Sequence, residues 1–220
     1  MPWPSSILVV AIAAALTVPA RAAEPTPAEL AQALQRKYDT IKDFSADFVH
    51  AYEGGVLRKR LTERGRLTVK KPGKMRWVYA APDAKEFVSD GFKLYSYIPQ
   101  DKQVFVTDVP QGDRAATPTL FLAGQGDLAR DFTASASEVP AGMPAGSRAL
   151  KLVPHAKQQE YDWLVLVVDP VTLQIRGLVT VDAQGGQSSF SFANLKENAG
   201  IADKEFAFKM PRGVDVVTNP

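Results

Sequence analysis

Few side chains in this sequence have the types and spacings that covalent chemistry needs. Cysteine is absent and histidine occurs twice, as His50 and His155. Neither belongs to an H-x-x-x-H or H-E-x-x-H arrangement, so the usual zinc ligand sets are missing and no metal site is expected. Ser89-Asp90-Gly91 sets a serine beside an acid, but it lacks the G-x-S-x-G elbow that exposes a nucleophile and is accounted for as a turn. With no convergent acid, base and nucleophile, the reading is of a protein that is not an enzyme and needs no cofactor. What the chain offers instead is apolar surface. Met75, Trp77 and Tyr79 alternate with Lys74, Arg76 and Val78, so in a strand one face is large and apolar and the other mostly polar. Aromatics in such alternation are most often ordinary core; contact with an apolar ligand is the sharper reading.

The elements that must position this face can be read outward from it. Runs at 66–70 and 75–79 flank Lys71-Pro72-Gly73-Lys74, where proline presets φ and glycine accepts the positive φ of a type II turn. Runs at 86–89 and 92–97 meet across Asp90-Gly91, a two-residue hairpin signal. Residues 65–97 therefore predict a β-meander. Upstream, Thr26-Pro27-Ala28-Glu29 is a capping box with proline at the first helical position. Leu30, Leu34, Tyr38 and Ile41 then recur at helical spacing. A strand over 44–50 places Phe44, Ala46 and Phe48 on one face, and another runs from Val56 past the basic Arg58-Lys59-Arg60, which marks an exposed portion or edge, to Val69.

Downstream, a strand is expected at 103–108. Residues 117–124 open on a capping threonine with proline after it and stop at glycine, giving a very short helix that only packing on something apolar can hold. A further turn is expected at 127–131. Strands follow near 132–138, 148–153, 161–168, 174–181 and 188–195, and Phe206-Ala207-Phe208 and Val214 to Val217 alternate once more. Hairpin-linked strands with few helices predict an up-and-down antiparallel sheet, and a sheet of this many strands must curl or close. The expectation is a mainly β fold forming one domain over residues 23–220.

Residues 7–18 are an apolar run too short for the roughly 20 residues of a membrane span. The run ends in Pro19-Ala20-Arg21-Ala22, an A-x-A pattern that predicts a signal peptide over 1–22 with cleavage before Ala23. The segment MPWPSS before it carries no lysine or arginine, and a short buried N-terminal helix is the alternative. A chain without cysteine cannot carry a lipid-modified N-terminal cysteine, so a protein that is soluble once cleaved is expected. The 26 basic and 24 acidic residues leave a net charge of +2; they are interspersed, so the electrostatic footprint of nucleic-acid binding is missing.

Over essentially the whole mature chain the sequence resembles the outer-membrane lipoprotein carrier proteins (LolA) of the Gram-negative periplasm. Three patches carry the likeness: a helix running into Phe44-x-Ala46-x-Phe48; Lys71-Pro72-Gly73-Lys74-Met75-Arg76-Trp77 with Pro82 and Val88-Ser89-Asp90-Gly91-x-x-Leu94-Tyr95-x-Tyr97; and Phe206-x-Phe208-x-x-Pro211-x-Gly213-Val214. The resemblance implies a strongly curved, unclosed antiparallel β-barrel with an N-terminal helix and short helices forming a lid over an apolar cavity. It implies a monomer that takes the acyl chains of outer-membrane-directed lipoproteins from an inner-membrane ABC lipoprotein-releasing transporter. Delivery would be to an outer-membrane acceptor lipoprotein or to the outer membrane itself.

By matched positions the acyl-chain cavity would be Met75, Trp77, Phe48, Phe44 and Tyr79. The lid would be Leu120, Phe121 and Leu122 of the central helix with Leu34 and Tyr38 of the N-terminal helix. Lys71 stands where relatives carry an arginine that latches the lid; lysine keeps the charge and loses the planar fork of donors. Arg76 is a second candidate for that role, although period 2 points it away from Met75. Two other readings share the fold: a periplasmic carrier of another amphiphile, such as a glycolipid or fatty acid, and a lipid-sensing regulatory protein.

Overall fold

Helix α1 (Pro27–Asp39) starts where its capping box dictates. The Thr26 N–H donates to Glu29 Oε2 at 2.8 Å and the Glu29 N–H donates to Thr26 Oγ1 at 3.3 Å, so two backbone donors that lack helical partners are satisfied reciprocally. Its buried stripe is Leu30, Ala31, Leu34 and Tyr38. The computed structural model describes residues 24–54, 60–109, 122–124, 126–158, 161–182 and 184–218. The expected signal segment, Arg58 and Lys59, and the 117–124 helix up to and including Leu120 and Phe121 lie outside these.

Twelve strands form a single sheet in the order β12-β6-β5-β4-β3-β2-β1-β11-β10-β9-β8-β7. They are β1 (Asp43–Glu53), β2 (Arg60–Lys70), β3 (Lys74–Ala81), β4 (Lys85–Asp90), β5 (Lys93–Ile98), β6 (Gln103–Asp108), β7 (Phe132–Ser137), β8 (Arg148–Pro154), β9 (Trp163–Val168), β10 (Ile175–Val181), β11 (Gln187–Glu197) and β12 (Asp215–Thr218). The sheet is two meanders joined along one seam. The first runs outward from β1 to β6; the second enters at the far edge as β7 and returns to place β11 against β1, with Phe48 opposite Phe192 and His50 opposite Phe190. β7 and β12 remain as edges, so the curved sheet is open. Every ladder is antiparallel except β12 on β6, which is parallel and qualifies the expectation of a purely antiparallel sheet.

Local chemistry differs from the sequence reading at three places. Lys70 pairs with Lys74, so the β2–β3 connection is the three residues Lys71, Pro72 and Gly73 and not a four-residue type II turn. Gly73 has the positive φ expected of it, 74°, and the Lys71-Pro72 peptide is cis. Ser89 pairs with Leu94, which moves the β4–β5 tip one residue on, to Gly91 and Phe92; the Asp90 carboxylate holds it by accepting from the Phe92 and Lys93 N–H groups at 2.8 Å each. The Phe206–Phe208 stretch is not a strand. A 3-10 turn (Asp203–Phe206) buries Phe206, and Phe208 stacks on Tyr95 with centroids 4.9 Å apart.

Period 2 sorts the sheet into an inner face, on which α1 lies, and an outer face. Phe44, Ala46 and Phe48, Leu67 and Val69, and Met75, Trp77 and Tyr79 join the α1 stripe in one buried cluster. On the outer face a smaller cluster of Ala149, Val165, Val167 and Val179 sits with Met143 and Trp163. Gly65 is required by a close approach: a Cβ there would lie 2.6 Å from Phe48 Cζ and 2.1 Å from the Val78 carbonyl. Glycine thus lets the Phe48 ring lie across β2.

Candidate functional site

The inner face is an aromatic trough. Phe48 lies edge-on to Trp77 (5.0 Å between centroids) and to Tyr79 (4.8 Å), Trp77 meets Phe190 at 5.1 Å, and Phe190 stacks with Phe192 at 6.4 Å. These are the edge-to-face and offset geometries that aromatic pairs favour. Phe44, Phe48, Met75, Trp77 and Tyr79, singled out in the sequence, are all brought together here and are buried. Phe190 and Phe192 were not singled out, although period 2 along β11 puts both on this face opposite His50 and Phe48.

Over the trough lie Leu34 and Tyr38 of α1, together with Leu122, Ala123 and the first residue of the one-turn helix α2 (Leu128–Asp131). The crevice between Tyr38, Phe44, Leu122 and Phe192 leaves about 10 Å³, at the lower limit of what one water needs. That crevice is filled by its own side chains. An acyl chain could enter that crevice only by displacing Tyr38 or Leu122.

At one end the cover is tied to the β2–β3 loop. The Lys71 ammonium donates to the Tyr38 carbonyl and sits 3.5 Å from the centroid of the same residue's ring, a cation–π contact. The Tyr38 hydroxyl donates to the Leu122 carbonyl. The Gly73 N–H donates to the Ala123 carbonyl at 3.0 Å. Gly124, with φ +80°, comes so near that a Cβ would lie 2.6 Å from Lys71 Cδ. Lys71 therefore grips the C-terminal end of α1, while Tyr38 and Gly73 make the bonds to the 122–124 backbone. Burial lowers the Lys71 ammonium to about 8, with Asp39 opposing. Burial, and then Glu197, push the Tyr38 hydroxyl far up, so it remains a donor. Arg76 takes no part: it lies on the outer face, where Nη1 donates to the Glu205 carbonyl at 2.8 Å.

At the other end the inner face turns polar. Glu63 is buried; its Oε2 lies 3.1 Å from His50 Nδ1 and its Oε1 lies 2.6 Å from Lys85 Nζ. His50 Nε2 meets Ser188 Oγ at 2.7 Å, and the imidazole stacks on Phe190 at 4.2 Å. Burial lowers the His50 pKa, opposed by Glu63, and raises that of the Tyr79 hydroxyl, with Glu63 adding to the rise. Glu63 was missed in the sequence. The parity that makes Leu67 and Val69 inward also makes Glu63 inward, but the basic residues before it suggested an exposed edge.

Ser188, His50 and Glu63 stand in hydroxyl–imidazole–carboxylate order at the polar end, an alignment of which the sequence carried no sign; the rest of the inner face is suited to burying apolar matter. An unclosed curved sheet with a helix-covered aromatic inner face defines the class, an open half-barrel with a hydrophobic interior. The family described as "Outer membrane lipoprotein carrier protein LolA" matches residues 39–209. An outer-membrane lipoprotein carrier protein of Chromohalobacter salexigens is 30% identical over 209 residues, 94% of each chain. One of Methylobacillus flagellatus is 33% identical over 153 residues, 70% of this chain and 71% of that one. In fold alone, the chain is similar to the crystal structure of an uncharacterized conserved protein from Thermus thermophilus, with a TM-score of 0.52 at 14% identity, covering 86% of this chain and 99% of that one. The chain belongs to the LolA family of outer-membrane lipoprotein carrier proteins.

Proposed function

We propose that this protein is a periplasmic chaperone that accepts lipoproteins from an inner-membrane ABC transporter, shields their acyl chains against the trough, and delivers them to an outer-membrane acceptor or to the outer membrane. It would be exported by cleavage of residues 1–22 and work as a one-domain monomer of residues 23–220. Exposing an acyl chain to water costs about 0.8 kcal/mol per CH₂, so one long chain costs roughly 10 kcal/mol and free diffusion across an aqueous compartment is negligible. A protein interior must take the place of the bilayer.

The observation that carries this reading is the aromatic inner face lying under a helical cover that meets it through apolar side chains. Phe48, Trp77, Phe190 and Phe192 form a continuous apolar floor, and the crevice where Tyr38 and Leu122 meet Phe44 and Phe192 is too small for cargo as it stands. Cargo then binds by exchanging one apolar contact for another, and release needs only that the cover return. Family membership names the cargo class.

The test is lipoprotein release from spheroplasts that hold the cognate transporter, with and without the purified protein beginning at Ala23. Soluble lipoprotein co-eluting stoichiometrically with the protein is the expected result. Release that does not depend on added protein would refute the reading. Recovery of only another lipid from protein purified out of the periplasm would transfer it to a different amphiphile.

A further inference from the structure

The polar end of the trough is not explained by apolar cargo. Glu63, His50 and Lys85 occupy the row of the inner face where its neighbours are aromatic, and their side chains are 4%, 15% and 24% exposed. A buried ion pair of this kind is seldom more stabilising than a well-packed apolar pair in the same space, so its placement calls for another reason. The hydrogen-bond inventory is uneven. Both Glu63 oxygens are taken, one by His50 and one by Lys85. A carboxylate at Nδ1 requires the proton there, which leaves Nε2 to accept from the Ser188 hydroxyl. Lys85 is the most exposed of the three and has three N–H donors; one faces Glu63, and the ammonium also sits 4.4 Å from the Tyr79 ring centroid.

We propose that the Glu63–His50–Lys85 cluster is a head-group site, in which Lys85 donates a hydrogen bond to the ester or amide carbonyl that joins a bound acyl chain to its parent molecule. This rests on the acyl-binding reading of the trough. The charge balance selects the ligand: Glu63 and Lys85 cancel, and burial keeps His50 neutral, so a neutral carbonyl adds a dipole without adding a charge. A free fatty-acid carboxylate would bring an unpaired negative charge toward Glu63. The position also fits. His50 stands on β1 beyond Phe44 and Phe48, roughly 20 Å from the Phe44 end at about 3.3 Å per residue, so a chain lying along the aromatic floor toward Lys71 would leave its carbonyl at Lys85.

Four probes of equal chain length test this by equilibrium binding: a dansyl-labelled diacylglyceryl-cysteine peptide, its ether-linked analogue without chain carbonyls, the free fatty acid and the methyl ester of that acid. The wild-type protein should prefer the ester over the ether by about tenfold, the worth of one hydrogen bond to a charged donor, and bind the fatty acid more weakly than its methyl ester. In a Glu63→Gln/Lys85→Met variant, whose fold is checked by its near-UV spectrum, the ester preference should fall to about twofold or less. Equal wild-type affinity for ester and ether overturns the head-group site and leaves the carrier reading intact, and it needs no variant. A preference that survives in the folded variant also overturns it. Wild-type protein that binds none of the probes overturns the carrier reading and this site together.

Discussion

The two faces of the sheet are both covered, and by different means. The outer cover over β2 to β6 is the tail after β11, fixed by directional bonds. Asp203 bridges Lys70 and Lys74 at 2.6 and 3.1 Å, Arg76 donates to the Glu205 carbonyl, and the Asp43 carboxylate accepts from the Ala199 and Ile201 N–H groups. On the inner face, several bonds tie the cover to itself, such as Tyr38 to Leu122 and the Leu128 N–H to Gln35 Oε1. Among the described residues its polar ties to the sheet include Glu24 with Arg148 at one end of α1, Lys37 with Glu197 together with Lys71 and Gly73 at the other, and the Arg130 and Asp131 carbonyls of α2 with His155 just after β8. Between the two ends of α1, Leu30 and Leu34 make apolar contact. Apolar contact is non-directional and can be exchanged for another apolar surface. The outer cover's ion pairs have no such substitute, so under the proposed function the inner cover is the one that moves.

Four outcomes test that contrast. The largest effect should come from the floor. Trp77→Ala removes a buried ring and should lower unfolding free energy by about 3–5 kcal/mol in urea titration, whereas Phe208→Ala, which loses one stacked pair on the outer face, should cost about 1 kcal/mol. Equal losses would mean that the trough is no more central than the tail. Next is Tyr38→Phe, which leaves the Leu122 carbonyl without its donor and should disfavour the closed cover by about 1–3 kcal/mol. Binding of an apolar dye should tighten accordingly; an unchanged dye affinity would show that the hydroxyl does not hold the cover.

A smaller change is expected from Arg76→Met. It cuts an outer tie and should leave dye binding as it is, since Arg76 does not reach the inner face; tighter dye binding would show that the two covers are coupled. The smallest effect is that of pH. Lys71 titrates at about 8 when the cover is closed, against an ordinary value of 10.5. Between those values the open form binds more protons than the closed form, so raising pH from 7 to 9.5 should favour closure. The gain is small because Lys71 is only half buried. Dye binding should weaken slightly over that range in the wild type and stay flat in Lys71→Met; weaker closure at high pH would reverse the assignment.

Much of the inner face was legible because its signals are local. The capping box fixed the start of α1, alternation placed Met75, Trp77 and Tyr79 on one side of β3, and Gly73 has the φ its turn requires. The pairing of β1 with β11 and the parallel contact of β12 with β6 join residues far apart in sequence, and no local pattern encodes such partners. Alternating Phe206 and Phe208 resembled a strand, yet the segment is committed to covering the outer face. Local pattern could not name partners for Lys70 and Lys71 either; Lys70 binds Asp203 and Lys71 binds α1, because elements over 30 residues away supply them.

The absence of native cysteine allows the central claim to be tested with one matched pair. Val69 on the inner face and Val88 on the outer face are each 0% exposed, and cysteine is close to valine in size. Thiol labelling of Val69→Cys and Val88→Cys is measured under native conditions, with and without an acylated peptide. Labelling of Val69→Cys well above the rate set by global unfolding, suppressed when the peptide fills the trough, with Val88→Cys protected throughout, is the predicted result. Equal protection of both thiols, unaffected by the peptide, would contradict it.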